Sequence, residues 1–148
     1  SYDGVTLPFA EATIDVVTMF DVLEHIPNVE KFLSQQVQRV LKPGGTLVFQ
    51  TPNKYTNIPW EILIHKSFTK YKSYHMSLQS YRSLKLLLQT AAFQDIEIVK
   101  RDILNPYYLE PLRQRIGVLA NPVATFFNRL PVRFSTNFWG HCMKLKNQ

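Results

Sequence analysis

Ile14, Val16, Val17, Met19 and Phe20 put apolar side chains on both parities of a seven-residue run. Apolar residues on both parities predict a strand buried on both faces, as central parallel strands are. The period then changes. Phe32, Leu33, Val37, Val40 and Leu41 fall on one helical face. Asn28 stands where an N-cap belongs, and Glu30 lies in the first turn, where the helix dipole favours an acid. Pro43-Gly44-Gly45 is expected to stop that helix and turn the chain into a second apolar strand, Thr46 to Gln50. Strand, helix and strand at this spacing make a βαβ unit with a right-handed crossover.

Beyond it, Pro52, Asn53, Asn57 and Pro59 predict a loop, and Thr51 to Ser80 as a whole reads as irregular. Ser80 is placed to cap a helix whose inner face is Tyr81, Leu84, Leu87, Leu88 and Ala91. Asp95 to Arg101 reads as a strand. Asn121 and Pro122 suggest the start of another helix, with Val123, Phe126, Phe127 and Leu130 at amphipathic spacing. Asn137 to Lys146 reads as a closing strand.

The chain has 148 residues, 45% of them hydrophobic and 19% charged, enough for one globular domain with a substantial core. No apolar run reaches the length that crosses a bilayer. The start, Ser1-Tyr2-Asp3-Gly4, does not read as a leader peptide and suggests a chain entered partway through a domain. The single cysteine, Cys142, excludes an intrachain disulfide and a cysteine-rich zinc site, so a cytoplasmic setting is the default expectation. Charge is divided unevenly: residues 1–50 carry three basic residues against six acids, and residues 51–148 carry fourteen against five. The second part therefore favours an anionic partner: a small anion, a lipid headgroup or nucleic acid.

Several clusters carry candidate chemistry. Asp21, Glu24 and His25 stand at i, i+3 and i+4. On a helix they share a face, and two carboxylates with an imidazole suit a divalent cation. His25 alone is a candidate general base, since imidazole titrates near neutrality. His65 to His75 interleaves Lys66, Lys70 and Lys72 with Phe68, Tyr71 and Tyr74, which suits either a solvated lid or single-stranded nucleic acid. Pro106 to Phe134 combines Arg113, Arg115, Arg129 and Arg133 with aromatics. Such a stretch either packs as a helical pair or lies on a membrane surface.

Asp3-Gly4 ahead of Leu7-Pro8-Phe9, then Ile14-Asp15, Leu23-Glu24-His25 and Arg39-Val40-Leu41-Lys42-Pro43-Gly44-Gly45 together resemble the class I methyltransferases that use S-adenosylmethionine. The resemblance includes the ubiquinone-biosynthesis branch and covers roughly residues 3–101, the middle and C-terminal part of that family. It implies an α/β, Rossmann-like, mostly parallel sheet with a C-terminal antiparallel strand. It also implies one partial methyltransferase domain over 1–148, with a helical insertion at about 105–135. Asp3 and Gly4 would meet the adenine, and Phe20 and Asp21 the methionine part of S-adenosylmethionine. Glu24, Asn53 and His75 would face the substrate. Some relatives bind a metal through Glu-x-x-Glu-His; here Asp21 replaces the first Glu, so no metal is assigned, and Asp21, Glu24 and His25 stand as the alternative set. Relatives usually carry Gly where this chain has Ala92, ahead of Phe93. The Gly-rich loop after the family's first strand does not occur in these residues, so the chain alone is expected to bind S-adenosylmethionine weakly or not at all. The leading expectation is a methyltransferase acting on an O, N or C nucleophile of a small molecule, anionic or lipid-like. An inactive interaction module and an RNA methyltransferase are the alternatives, and a peripheral membrane contact is compatible with the first.

Overall fold

The computed structural model describes residues 6–73, 75–99 and 106–146. Asp3 and Gly4 lie outside them. Among the described residues four strands form one sheet in the order β1-β2-β4-β3: β1 (Ile14–Phe20), β2 (Leu41–Pro52), β3 (Phe93–Val99) and β4 (Asn137–Lys144). β1 pairs parallel with β2, while β4 runs antiparallel to both β2 and β3. Three strands therefore share one direction and the C-terminal strand opposes them. This is the mostly parallel, Rossmann-like sheet implied by the sequence.

Between β1 and β2 the chain makes a 3-10 turn (Leu23–His25) and one helical run: α1 (Val29–Phe32), a π-helical stretch (Leu33–Val37) and α2 (Gln38–Val40). Asn28 caps it, its side chain accepting from the Lys31 amide at 3.3 Å. The end differs from expectation. The helix stops at Val40, before any glycine, and the chain is extended from Leu41. The buried ammonium of Lys144 explains this, donating to the carbonyls of Gln38 (2.7 Å) and Leu41 (2.9 Å) and so satisfying groups that a helix end leaves open. Pro43-Gly44-Gly45 lies inside β2 as a bulge. The register jumps there from Ile14↔Leu41 to Val16↔Thr46, and Gly44 takes φ +78°, a conformation glycine adopts at little cost.

The segment expected to be irregular holds α3 (Lys54–His65), followed by a 3-10 turn (Lys70–Ser73). Pro59 sits inside α3. α4 (Tyr81–Thr90) begins at Ser80, whose hydroxyl accepts from the Ser83 amide while Ser83 returns the bond to the Ser80 backbone. Leu84, Leu87, Leu88 and Ala91 form its buried face as expected. Ala92 is left-handed at φ +61°, the conformation for which relatives' glycine is suited. A second helical pair follows: α5 (Pro106–Ile116), a 3-10 turn (Gly117–Leu119) and α6 (Ala120–Arg129). Asn121 is inside α6, not its cap. Phe126 is exposed, while Ala120 and Ala124 are buried.

The core lies on one face of the sheet. Leu47, Phe49, Phe138 and Cys142 from β2 and β4 pack with Leu23, Leu33, Val37, Leu84 and Leu88. Gly140 is needed in the middle of β4. A Cβ there would run into the Glu97 carbonyl and come within 2.8 Å of the Phe49 ring. On the other face Val16 and Phe20 are about half exposed. β1 was expected to be buried on both sides; among the described residues it stands at the edge of the sheet, and they cover only one of its faces.

Candidate functional site

β1 and β2 end side by side, with Phe20 opposite Gln50. The chain then turns at Asp21, which is left-handed at φ +50°. Gln50 fixes that turn. Its side-chain amide donates to Asp21 Oδ1 at 2.8 Å, and its Oε1 accepts from the Asp21 backbone at 3.0 Å. The Phe20 ring, half exposed, leans on Trp139 of β4 at 5.7 Å between centroids. Phe20 and Asp21 thus sit together on the rim where the family resemblance puts the methionine part of S-adenosylmethionine.

The turn after Asp21 is 3-10, not α-helical. Asp21 lies outside that turn, left-handed and engaged by Gln50, so the shared helical face expected for Asp21, Glu24 and His25 does not form. Glu24 points inward, 1% exposed, and its Oε2 accepts from the Thr51 hydroxyl at 2.9 Å. Its backbone carbonyl accepts from the amides of Met76 (2.8 Å) and Ser77 (2.9 Å). Those two bonds pin the segment before α4 against the end of β1 and bring His75 to His25, with ring centroids 5.2 Å apart. The His25 side chain is 46% exposed, and its Nε2 lies 3.8 Å from Glu24 Oε1.

Glu24, His25 and His75 form a cluster whose candidate ligand atoms all lie within 4.8 Å of one another. Metal–ligand bonds to nitrogen and oxygen are about 2.0–2.2 Å, so two ligands of one ion stand no more than about 4.4 Å apart. The widest pair stands a few tenths of an ångström beyond that limit. The residue types suit a divalent cation, with His75 in the place that the sequence reading gave to Asp21.

A cleft of about 400 Å³ opens beside His75, lined by Lys54, Ile58, Lys72, Met76 and Leu78. Two ammonium groups facing one cleft favour an anionic occupant. Lys72 belongs to the basic-aromatic run seen in the sequence; Lys54 stands at the first position of α3. A wider cleft of about 760 Å³ lies by Tyr55 and is bordered by Tyr81, Arg82, Arg133 and Phe134.

Asn53 is fully buried and holds the scaffold. Its amide donates to the carbonyls of Arg133 (2.9 Å) and Ser135 (2.7 Å), and its Oδ1 caps α3 by accepting from the Tyr55 amide. With its donors and acceptor so engaged, it lies behind the rim, its side chain turned to the scaffold. Sequence reasoning missed Gln50 and Thr51, the two side chains that set Asp21 and Glu24. Both lie at the end of an apolar strand, where a polar residue is a detectable signal. The His25–His75 contact spans fifty positions and leaves no local trace.

Residues 3–98 match a family model described as a methyltransferase domain. A probable S-adenosylmethionine-dependent methyltransferase of Mycolicibacterium smegmatis is 35% identical over 88 residues, which is 60% of this chain and 32% of that protein. The chain spans about a third of the length of the curated relatives it matches. Among solved structures, an S-adenosylmethionine-dependent methyltransferase of Thermotoga maritima, a possible histamine N-methyltransferase, aligns over 95% of this chain and 61% of its own, with a TM-score of 0.63 and 18% identity. A phosphoethanolamine N-methyltransferase of Haemonchus contortus, solved with phosphomonomethylethanolamine and S-adenosylhomocysteine, aligns over 99% of this chain and 36% of its own, with a TM-score of 0.56 and 18% identity. At such identities the structural likeness speaks for the fold.

Proposed function

This chain belongs to the methyltransferase domain family, and from that premise we propose that it supplies the acceptor side of an S-adenosylmethionine-dependent methyl transfer to an anionic small molecule. The observation that carries the reading is the convergence of Glu24, His25 and His75 beside the Phe20–Asp21 rim, with the Lys54–Lys72 cleft next to them. The residues present suit the methionine end of the donor: a half-exposed aromatic ring and a fixed turn at the strand end. Asp3 and Gly4, assigned to its adenine, lie outside the described residues. When bound, S-adenosylmethionine would supply an electrophilic methyl group on a sulfonium.

The chain's own groups would do the rest. Lys54 and Lys72 would hold the acceptor's anionic group, and positioning alone is a large part of such a reaction. His25, exposed on one edge and flanked by Glu24 and His75, would take the proton of a hydroxyl acceptor as its oxygen engages the methyl carbon, or take it from an ammonium acceptor beforehand to free the nitrogen lone pair. The likeness to a phosphoethanolamine N-methyltransferase agrees in kind with a phosphate-bearing acceptor. The test is to offer the full-length gene product methyl-labelled S-adenosylmethionine with matched pairs of phosphorylated and dephosphorylated amines and alcohols. Label on the phosphorylated members, lost in His25→Asn while S-adenosylhomocysteine still binds, is expected. Transfer restricted to the dephosphorylated members, or unaffected by the substitution, would refute the assignment.

The spacing of the same three groups favours a second reading, in which they hold a divalent cation that orients the acceptor. Activity abolished by a chelator and restored by magnesium or zinc would select it; activity indifferent to chelation would exclude it.

A further inference from the structure

From the α5–α6 hairpin we infer a docking surface for an anionic lipid bilayer. Its turn presents apolar side chains to solvent where a folded domain normally hides them: Val118 is 87% exposed, Leu119 62%, and Ile116 more than a third. These three lie in one stretch, and Phe126 on α6 adds an exposed ring. The turn is held in shape from behind. Arg113 of α5 donates to Asn121 Oδ1 of α6 at 3.0 Å, and Ala120 and Ala124 pack inward.

Charge decides the occupant. Arg113 and Arg115 stand in the last turn of α5, just before the apolar tip. Arg113 pairs with Glu110 at 3.9 Å; from residue 111 to 148 there is no Asp or Glu, against Arg113, Arg115, Arg129, Arg133 and Lys146 besides the buried Lys144. Aliphatic side chains backed by guanidinium groups match the two layers of a membrane interface, the acyl boundary and the anionic headgroups. Nucleic acid would instead call for flat stacking faces at the tip, and the tip is Ile116, Val118 and Leu119.

The placement has a use. The hairpin connects β3 to β4, and Val99 at the end of β3 pairs with Trp139, whose ring meets Phe20. Chain therefore leaves for the hairpin and returns from it at the end of the sheet that carries the candidate site. Docking by the hairpin would tether that end of the sheet to the lipid surface.

The experiment is flotation of the full-length protein with vesicles of phosphatidylcholine alone and with vesicles of phosphatidylcholine and phosphatidylglycerol in equal parts. It needs neither methyl donor nor acceptor, so its outcome is separate from that of the proposed reaction. Co-flotation with the mixed vesicles only is expected, falling about tenfold or more in the double variant Val118→Asp, Leu119→Asp and weakening with added salt and in Arg115→Gln. Circular dichroism of the variants, unchanged because the tip is solvent-exposed, separates lost docking from lost folding. Equal flotation with both vesicle types, or a variant that floats like the parent, would overturn the inference. So would binding of a single-stranded RNA oligonucleotide in preference to the vesicles.

Discussion

Thr51 donates its hydroxyl to the buried carboxylate of Glu24 across 2.9 Å, joining the end of β2 to the turn that follows β1. Glu24 in turn holds the backbone of Met76 and Ser77. One hydrogen bond therefore sits under both histidines of the candidate site. Thr51→Val keeps the shape and removes the donor, leaving a buried carboxylate oxygen without it. A loss of roughly 1–3 kcal/mol in unfolding free energy is expected, read by denaturant titration, with Thr51→Ser restoring most of it. A Thr51→Val protein as stable as the parent would show that Glu24 is held by something else.

The Lys54–Lys72 cleft predicts a binding defect without a chemical one. Each ammonium is solvent-exposed, so each contributes on the order of 0.2–1 kcal/mol to holding an anion. Lys54→Ala and Lys72→Ala are expected to raise KM for an anionic acceptor a few-fold with kcat nearly unchanged. Charge reversal, Lys72→Glu, should act more strongly and should lose its effect at high ionic strength. Steady-state kinetics at two salt concentrations checks this.

Lys144 predicts a structural defect far from the site. Its ammonium is buried and donates to the Gln38 and Leu41 carbonyls. Lys144→Met keeps the aliphatic stem and strips both carbonyls of their donor. A destabilisation of about 2–5 kcal/mol is expected, visible as a lowered Tm. Lys144→Arg should not rescue it fully, because a planar fork does not fit the post of a compact ammonium.

Cys142 is fully buried on β4, and burial pushes its thiol from an ordinary value of 9.0 up to about 12. The folded state therefore keeps this proton at pH values where the unfolded chain has lost it. Stability from this group is complete below pH 9 and declines from there towards pH 12. A thiol reagent at pH 8 is expected to label Cys142 only after denaturant is added; labelling of the native protein at the rate of a free thiol would contradict the burial.

Much of the scaffold was legible in local chemistry. Asn28 and Ser80 cap helices because short polar side chains reach the open amides of a first turn. β4 was legible as a closing strand, and its antiparallel direction came with the family resemblance. The failures share a cause: a partner distant in sequence overrode a local signal. Pro43-Gly44-Gly45 looked like a helix stop, yet Lys144 ends that helix from a hundred residues away, and the glycines serve a bulge. Pro52, Asn53 and Pro59 looked like a loop, yet Asn53 caps a helix that accommodates Pro59. Asp21 looked like a neighbour of Glu24 and His25, yet Gln50 draws it aside and His75 takes its place. Rim residues were legible through the family's phrases. The polar groups supporting them, Gln50 and Thr51, were set by strand pairing and had no phrase of their own.

The account rests on a methyl donor lying across the end of β1, and hydrogen exchange of the full-length gene product tests this most directly. Addition of S-adenosylhomocysteine is predicted to slow amide exchange across residues 20–25, with the α5–α6 hairpin unchanged. Protection confined to other parts of the chain, with residues 20–25 exchanging as before, would contradict it.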